Sequence, residues 1–268
     1  MIRVGFIGAG NMGFAIMKGI FDSGLCKTDS IELCAFDLDS EKLKRLEPFG
    51  VTACENAAEL ARVCKYVFLS IKPQQLDDVL ESIKDSVDEQ SVIVSICAGI
   101  SGEYIKEKTK PFAKVVLVMP NTPLLLGEGA TALSKVEPTS DSEFDLVCRI
   151  FSSCGKIAVI ESDKMKEIIA INGSSPAFIY LYAKAFVDYA VSVGIDGNVA
   201  NTLFSQSLIG SAKMLTDSGY SIDELIKMVS SKGGTTIAGL EKLYEGNLEE
   251  TAKNACKACT KRAYELSK

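Results

Sequence analysis

The sequence predicts an α/β protein in which a doubly wound, mainly parallel sheet is followed by an all-helical domain. Two observations support this prediction. Up to about residue 161, short apolar segments alternate with amphipathic helical segments, and from residue 164 onward only helical patterns occur. Strands that alternate with helices are typical of a parallel sheet covered on both faces. We therefore expect a first domain over residues 1–161 and a second over residues 162–268.

Composition narrows the class of protein. A chain of 268 residues with 47% hydrophobic content can fill two cores, and a net charge of −6 without a basic run argues against nucleic acid or an anionic membrane as partner. We expect small-molecule partners. A strand starts at residue 2, and no apolar run is long enough for a membrane helix. The sequence thus predicts a cytoplasmic protein.

Cysteine and histidine usage limits the chemistry further. The nine cysteines are an odd number scattered through apolar segments, which is typical of buried free thiols in a reducing compartment. Cys256 and Cys259 form a lone C-x-x-C, and without a second pair or any histidine we expect no metal site. The absence of histidine also removes the commonest general acid or base, which favours a reaction that needs little help with proton transfer.

The first strand and helix are joined by a glycine-rich turn. Residues 2–7 are too densely apolar for a half-exposed strand, and residues from Ala15 to Phe21 show helical spacing. This is the Rossmann-type context in which such a turn binds a dinucleotide, with the pyrophosphate on the amides at the start of the helix. The alternative is a turn without a ligand. The candidate cofactor residues of the turn are Gly8, Ala9, Gly10, Asn11, Met12 and Gly13.

A second strand over residues 31–36 ends at Asp37, which lies 24 residues after Gly13. A carboxylate at this place accepts hydrogen bonds from the adenosine ribose and repels a 2′-phosphate, which favours NADH over NADPH. As an alternative, Asp37 and Asp39 only cap the lysine-rich helix over residues 40–46. Lys42 is one of the cations there that could receive a phosphate, so both coenzymes stay open.

The remaining segments complete the sheet. The strand over residues 66–71 ends at Lys72 and Pro73, whose fixed φ pins the end that faces the cofactor crevice. After the strand at 92–96, the small residues Cys97, Ala98 and Gly99 leave room for a nicotinamide ring. Further strands are predicted at 51–53, 115–119 and, as edge strands, 127–133 and 156–160, with helices at 57–64, 76–86 and 140–151.

The second domain reads as helices at 165–169, 176–193, 198–218, 222–228, 236–244 and 248–266. The helix over 176–193 is apolar on nearly all sides, so it must be covered all round. We expect a second subunit to cover it, and the alternative is the central helix of a monomeric bundle.

Two glycine-containing segments, residues 171–177 and 230–236, interrupt these helices. In the second, successive backbone amides at the start of the helix from Thr236 would seat a carboxylate. The alternative is that both segments are helix connections with Ser or Thr caps.

In its ordered motifs the chain resembles pyrroline-5-carboxylate reductases from end to end. The motifs are the glycine turn at 8–13, Ser-Ile-Lys-Pro-Gln at 70–74, Ser-Ile-Cys-Ala-Gly-Ile at 95–100, Met-Pro-Asn-Thr-Pro at 119–123, Glu-Gly-Ala-Thr at 128–131, Gly-Ser-Ser-Pro-Ala-Phe at 173–178 and Ser-Lys-Gly-Gly-Thr-Thr at 231–236. The resemblance implies reduction of the C=N bond of 1-pyrroline-5-carboxylate to L-proline by NADPH or NADH. It also implies a helical dimerisation domain and dimers that can form decamers.

The same resemblance assigns roles to residues. The residues that would contact the cofactor are Asn56, Ser70, Ile71, Lys72, Pro73, Cys97, Ala98 and Gly99. The residues that would bind the substrate are Ser174, Ser175, Ser231, Gly233, Gly234 and Thr235. The catalytic residue would be Thr236, whose hydroxyl would face the imine nitrogen. Positioning dominates such a hydride transfer, since the cyclic imine takes its proton from water.

The chain departs from the family pattern at Lys232, where proline is usual, at Ser162, where a glutamate is usual, and at Asp37, where members that prefer NADPH have small or basic residues.

Two rival functions stay open. One is a related imine or β-hydroxyacid reductase, although no Asn-x-x-Lys surrounds Lys184. The other is a protein that senses NAD(P) without turnover.

Overall fold

One eight-stranded sheet forms the amino-terminal part of the protein in a computed structural model that describes residues 1–267. Its strands lie in the order β3-β2-β1-β4-β5-β6-β7-β8. This order places the switch point between β1 and β4, where the chain leaves one half of the sheet for the other. The strands are β1 (Ile2–Ile7), β2 (Ile31–Phe36), β3 (Thr52–Ala53), β4 (Tyr66–Leu69), β5 (Val92–Ser95), β6 (Lys114–Met119), β7 (Gly129–Val136) and β8 (Gly155–Val159).

Six of the seven strand pairings are parallel, as the alternation of strands and helices predicts. The exception is β7, which runs antiparallel to β6 with Met119 opposite Ala132. The edge strand β8 then pairs with β7 in parallel. Both predicted strands are therefore present, but only β8 is an edge strand, since β7 pairs with a neighbour on each side. Strands β4 and β5 end two residues and one residue earlier than predicted.

Helices cover both faces of the sheet. They are α1 (Asn11–Asp22), α2 (Leu25–Thr28), α3 (Ser40–Lys44), α4 (Ala57–Val63), α5 (Leu76–Ile83), α6 (Gly102–Lys108) and α7 (Asp141–Ser152). One face is filled by a core around Phe6 and Phe68, whose rings stack at 4.4 Å. The other face is filled by a core around Leu60, Leu69 and Leu80. Burial on both faces explains why the strands are apolar throughout instead of alternating.

The helical part of the chain consists of α8 (Ser175–Ser192), α9 (Gly197–Asp217), α10 (Ile222–Met228), α11 (Thr235–Glu245) and α12 (Leu248–Leu266). The helix predicted over 165–169 is wrong. Residues 165–167 form a turn instead, between a 3₁₀ turn at Ser162–Lys164 and a π-helical turn at Ile169–Gly173. Helix α6 was not predicted.

Contacts divide the chain into two compact units. The first contains residues Met1–Ser174 together with the end of α12 from Ala258 onward, and the second contains Ser175–Lys257. Inside the second unit, α8 packs on α9 through Phe186 and Phe204, whose rings stack at 4.3 Å. Of α8, Pro176 and Ala190 are buried, whereas Leu181 is 70% exposed. Within the described residues, no helix combines the length and the apolarity needed to cross a membrane.

Candidate active site

The glycine turn lies between the carboxyl ends of β1 and β4. Gly8 has a φ of 100°, and a Cβ on it would meet Ser70 O at 2.3 Å, so only glycine fits there. A Cβ on Gly13 would meet Gly8 O at 2.3 Å, so this glycine lets α1 lie close to the turn. Gly10, by contrast, has open space at its Cβ position. The turn is thus tightly packed at both ends and open in the middle.

The start of α1 is available for an anion. Gly10 is the N-cap, and within the described chain no side chain caps this end or places an acidic group in its first turn. Four N–H groups at a helix start lack intrahelical partners, and the helix dipole adds partial positive charge. Because Gly10 leaves room beside these amides, the turn fits a pyrophosphate.

Asp37, at the carboxyl end of β2, is held by several donors. One oxygen accepts from Ala9 N at 2.8 Å, and the other accepts from Asp39 N at 2.9 Å and from Lys42 Nζ at 3.1 Å. Burial raises the pKa of this carboxyl, but the amides of Asp39 and Ala9 and the Lys42 ammonium outweigh it, so the pKa is lowered. Asp37 therefore stays ionised and fixes the glycine turn.

The helix cap at this position is Asp39, whose side chain accepts from Glu41 N at 3.0 Å at the start of α3. Of the two aspartates, Asp39 therefore caps this helix, whereas the Asp37 carboxylate also bonds to the glycine turn.

A single cavity of about 490 Å³ connects three of the predicted cofactor motifs. Gly8 and Gly10 contribute from the turn, Asp37 and Lys42 from the end of β2 and from α3, and the segment 70–72 from the end of β4. The predicted Asn56 caps α4, with its side-chain oxygen accepting from Glu59 N at 2.8 Å, while its neighbour Ala57 lines the cavity. Residues 60 or more positions apart in sequence thus meet where parallel strands end.

A buried hydroxyl oxygen lies directly after the end of β4. Ser70 Oγ is buried and has no hydrogen-bond partner among residues 1–267. Buried polar atoms are nearly always paired, so an unpaired hydroxyl at the cofactor cavity is a feature that a bound polar ligand would satisfy. Together with the open side of Gly10, this residue shows that the cavity fits a dinucleotide.

Cys97 holds the segment after β4 in place through hydrogen bonds from its thiol. Its Sγ donates to Ile71 O at 3.4 Å and to Leu69 O at 3.6 Å. Burial raises the pKa of the thiol to about 11, against the lowering effect of Ser95 and Ile71. Cys97 is therefore a protonated donor that positions the β4 end, and it is unsuited to act as a nucleophile.

Ala98 is exposed, whereas a Cβ on Gly99 would meet Ala263 O of α12 at 3.4 Å. Cys97 and Gly99 nevertheless line a cavity of about 360 Å³, which Tyr264 of α12 also lines, so there is open space beside this segment.

The sequence did not point to Asn172, which links the ends of β6 and β7. Its amide group donates to Met119 O at 2.7 Å and to Ala130 O at 2.9 Å, while Asn121 Oδ1 accepts from Ala130 N at 2.9 Å. Asn172 lies in the π-helical turn, a geometry that is frequent at functional sites. Its own Oδ1 is buried without a partner in the described chain.

The predicted substrate residues lie mostly in the second unit. Gly233 has a φ of 73°, Gly234 N donates to Ser231 O at 2.9 Å, and Gly234 is the N-cap of α11. No described side chain caps α11, and its first turn has no acidic residue. Because Thr235 and Thr236 are exposed at this helix start, the loop can offer amides and hydroxyls to an anion.

The other two predicted substrate residues lie on either side of the sequence position at which the first unit ends and the second begins. Ser174 ends the π-helical turn in the first unit, with its N–H donating to Ile169 O at 2.8 Å, and Ser175 begins α8 in the second. Ser162 is an exposed residue of a 3₁₀ turn.

Comparison with known proteins adds to this geometry. A family model described as pyrroline-5-carboxylate reductase dimerisation matches residues 162–266, and one described as NADP oxidoreductase, coenzyme F420-dependent, matches residues 3–99. The chain is 33% identical to pyrroline-5-carboxylate reductase 3 of Danio rerio over 265 residues, which cover 99% of this chain and 91% of that protein.

Two solved structures are similar over nearly their whole length. A pyrroline-5-carboxylate reductase from Coxiella burnetii has a TM-score of 0.90 and 31% identity, covering 99% of this chain and 98% of that one. The Plasmodium falciparum pyrroline carboxylate reductase with NADP bound has a TM-score of 0.89 and 28% identity, covering 100% and 98%.

Proposed function

The chain belongs to the pyrroline-5-carboxylate reductase family, and from this premise we propose which of its residues hold the coenzyme and the substrate. The enzyme reduces 1-pyrroline-5-carboxylate to L-proline with NAD(P)H, the last step of proline biosynthesis. Relatives of the same name match it from end to end, so a β-hydroxyacid reductase or a non-catalytic sensor is not favoured.

The coenzyme binds, in this proposal, along the cavity at the carboxyl ends of β1, β2 and β4. The observation that carries it is the meeting there of the open glycine turn, Asp37 and the unpaired Ser70 hydroxyl. The amides of residues 11–13 hold the pyrophosphate, and Asp37 with Lys42 faces the adenosine ribose. When bound, NAD(P)H supplies the hydride. Cys97 keeps the β4 end in place through Ile71 O.

The substrate carboxylate binds at the start of α11. Gly233 adopts the left-handed conformation that turns the chain, and Gly234 N donates to Ser231 O. The amides of Thr235 and Thr236, in the first turn of α11, lack intrahelical partners and are offered to the carboxylate. The Thr236 hydroxyl orients the imine nitrogen, which water has already protonated, so no histidine is required. Ser231, Ser174 and Ser175 complete the substrate residues.

Two further parts of the proposal concern organisation. The dinucleotide-binding domain spans residues 1–161, and the substrate and dimerisation domain spans residues 162–268, a division that the dimerisation model at 162–266 supports. The enzyme is a homo-oligomer, and we assign it a dimer that can build a decamer. The exposed apolar side chains of α8, among them Leu181 and Tyr189, support the dimer because such a surface is covered in stable proteins. All nine cysteines are free thiols, which supports a cytoplasmic location.

The decisive experiment is a spectrophotometric assay of NADH and NADPH oxidation by the purified protein, with and without 1-pyrroline-5-carboxylate. We expect oxidation only when the imine is present, with one proline formed per coenzyme oxidised. Coenzyme binding without turnover would overturn the assignment as an enzyme.

A further inference from the structure

Two thiols meet on the face of the sheet that α4 covers. Cys34 lies on β2 opposite Gly5 of β1, so their Cα positions are neighbours and their side-chain positions share a face. A Cβ on Gly5 would meet Cys64 Sγ at 2.7 Å. The sulfur of Cys64, the residue after α4, therefore sits over Gly5 and beside Cys34, and both belong to the same buried core.

A third thiol and a cation border this pair. Cys54 follows β3 and packs against the same core, with its N–H donating to Ala35 O at 2.9 Å. Arg3 lies on β1, where its Nε is 2.9 Å from Glu32. We call Cys34, Cys54 and Cys64 the thiol cluster.

The thiol cluster activates Cys34. The neighbouring Cys64 thiol is the largest effect, and with the charge of Arg3 and the thiol of Cys54 it outweighs burial and lowers the pKa of Cys34. The nearness of Cys34, together with burial, raises the pKa of Cys64. Burial and the negative charge of Cys34 raise the pKa of Cys54 to about 11. One thiolate is thus paired with a thiol that carries the proton.

One side of the thiol cluster borders a cavity that a small reagent can enter. A cavity of about 550 Å³ is lined by Cys34 and Cys54, by the charged Arg3 and Glu32, and by Glu59 of α4. Cys26 lines it as well, but burial raises the pKa of that thiol. This cavity is separate from the coenzyme cavity, which is lined by a different set of residues.

We propose that Cys34 is a peroxide-reactive thiol and that Cys64 is its resolving partner, so that oxidation by a hydroperoxide closes a Cys34–Cys64 disulfide. In the first step the Cys34 thiolate attacks hydrogen peroxide: an S–O bond forms, the O–O bond breaks, and the departing hydroxide takes a proton to become water. In the second step the Cys64 sulfur attacks the sulfenic acid: the S–S bond forms, the S–O bond breaks, and a second water leaves with the Cys64 proton. Two electrons pass from the thiols to the peroxide.

The test treats the purified enzyme with a graded series of hydrogen peroxide, alkylates the remaining thiols, and maps the products by mass spectrometry. We expect a mass loss of about 2 Da, for two hydrogens, located in linked peptides that contain Cys34 and Cys64, and reversed by dithiothreitol. Cys34→Ser should abolish the disulfide. Cys64→Ser should leave Cys34 as a sulfenic acid that dimedone traps, a readout that stands even where Cys34→Ser fails to fold.

The matched control is Cys148→Ser on α7, a thiol whose pKa burial raises, and it should react like the wild type. A disulfide that still forms in folded Cys34→Ser, a link that maps to Cys54, or wild-type protein that keeps all nine thiols at peroxide levels that oxidise free cysteine would each overturn the proposal.

Discussion

Replacing Asp37 by alanine separates the two roles that the structure gives this carboxylate. The change removes the acceptor of Ala9 N at 2.8 Å and the partner of Lys42 at 3.1 Å. A hydrogen bond to a charged group contributes about 1.5 to 3 kcal/mol, and we take the lower value because the Ala9 amide can turn to water. A loss of about 1.5 kcal/mol in holding the turn corresponds to a roughly tenfold rise in Kd for NADH.

For NADPH the same change has a second effect of opposite sign. Asp37→Ala removes a negative charge that would face the 2′-phosphate and frees the Lys42 ammonium to approach it. We therefore expect the Kd for NADPH to rise less than about threefold, which shifts the preference toward NADPH. The assay is titration of coenzyme fluorescence with both coenzymes at fixed ionic strength.

The matched control is Asp88→Ala, which removes a carboxylate that accepts from Gln90 N and Ser91 N at 2.9 Å and does not line the coenzyme cavity. It should lower thermal stability slightly and leave both Kd values near the wild type, since a hydrogen bond to a charged group contributes about 1.5 to 3 kcal/mol to folding alone. Equal losses for the two coenzymes in Asp37→Ala would show that the residue only supports the turn and does not discriminate between them.

Three other predictions follow from the site, the interface and the core. Thr236→Ala should lower kcat/KM for 1-pyrroline-5-carboxylate by about one to three powers of ten, as loss of a positioned hydrogen bond does, with coenzyme Kd changed only severalfold; unchanged turnover would remove Thr236 from the mechanism. Leu181→Lys puts a charge on the exposed apolar side of α8 and should give monomers in analytical ultracentrifugation, whereas Lys213→Glu on α9 serves as a charge control that should stay assembled. Burial raises the pKa of Glu143, but Lys114 at 2.8 Å and the hydroxyl and amide of Ser140 outweigh it and lower the pKa to about 2. Because the pKa of Glu143 is lower in the folded state than in the unfolded state, its contribution to stability is complete above about pH 5 and is lost as the pH falls toward 2. In urea unfolding, Glu143→Gln should therefore lower the free energy of unfolding by about 2 kcal/mol at pH 7 and leave it unchanged near pH 2. An equal loss at both pH values would contradict the ionic origin.

The Rossmann-type sheet could be predicted from the sequence because its signals are local. Dense apolar strands, the glycine turn after β1 and the Lys-Pro stop after β4 each act within a few residues, and the strand order follows from the usual connection rules. Helix α6 was not predicted because its seven residues have too few apolar side chains to show a helical period. The bond from Tyr104 N to Ser101 Oγ was the signal for its start.

The π-helical turn and Asn172 could not be predicted for a different reason. The partners of the Asn172 amide, Met119 and Ala130, lie 53 and 42 residues away in sequence. Hydrogen bonds between residues this far apart produce no periodic pattern in the sequence. Here they favour the π-helical turn over the helix that the pattern at 165–169 indicates. Likewise, Gly99 lies close to Ala263 at the end of α12, although the two residues are far apart in sequence. No local pattern in the sequence indicates that proximity.

The apolar exterior of α8 has a consequence for how the enzyme is made. A newly synthesised chain can complete its sheet alone, since both faces of that sheet are closed by its own helices. In the dimer proposed above, the helix that carries Leu181 and Tyr189 leaves those side chains in water until a second chain covers them. Maturation of the carboxy-terminal half is thus a bimolecular event, and its yield depends on how many copies are present at once.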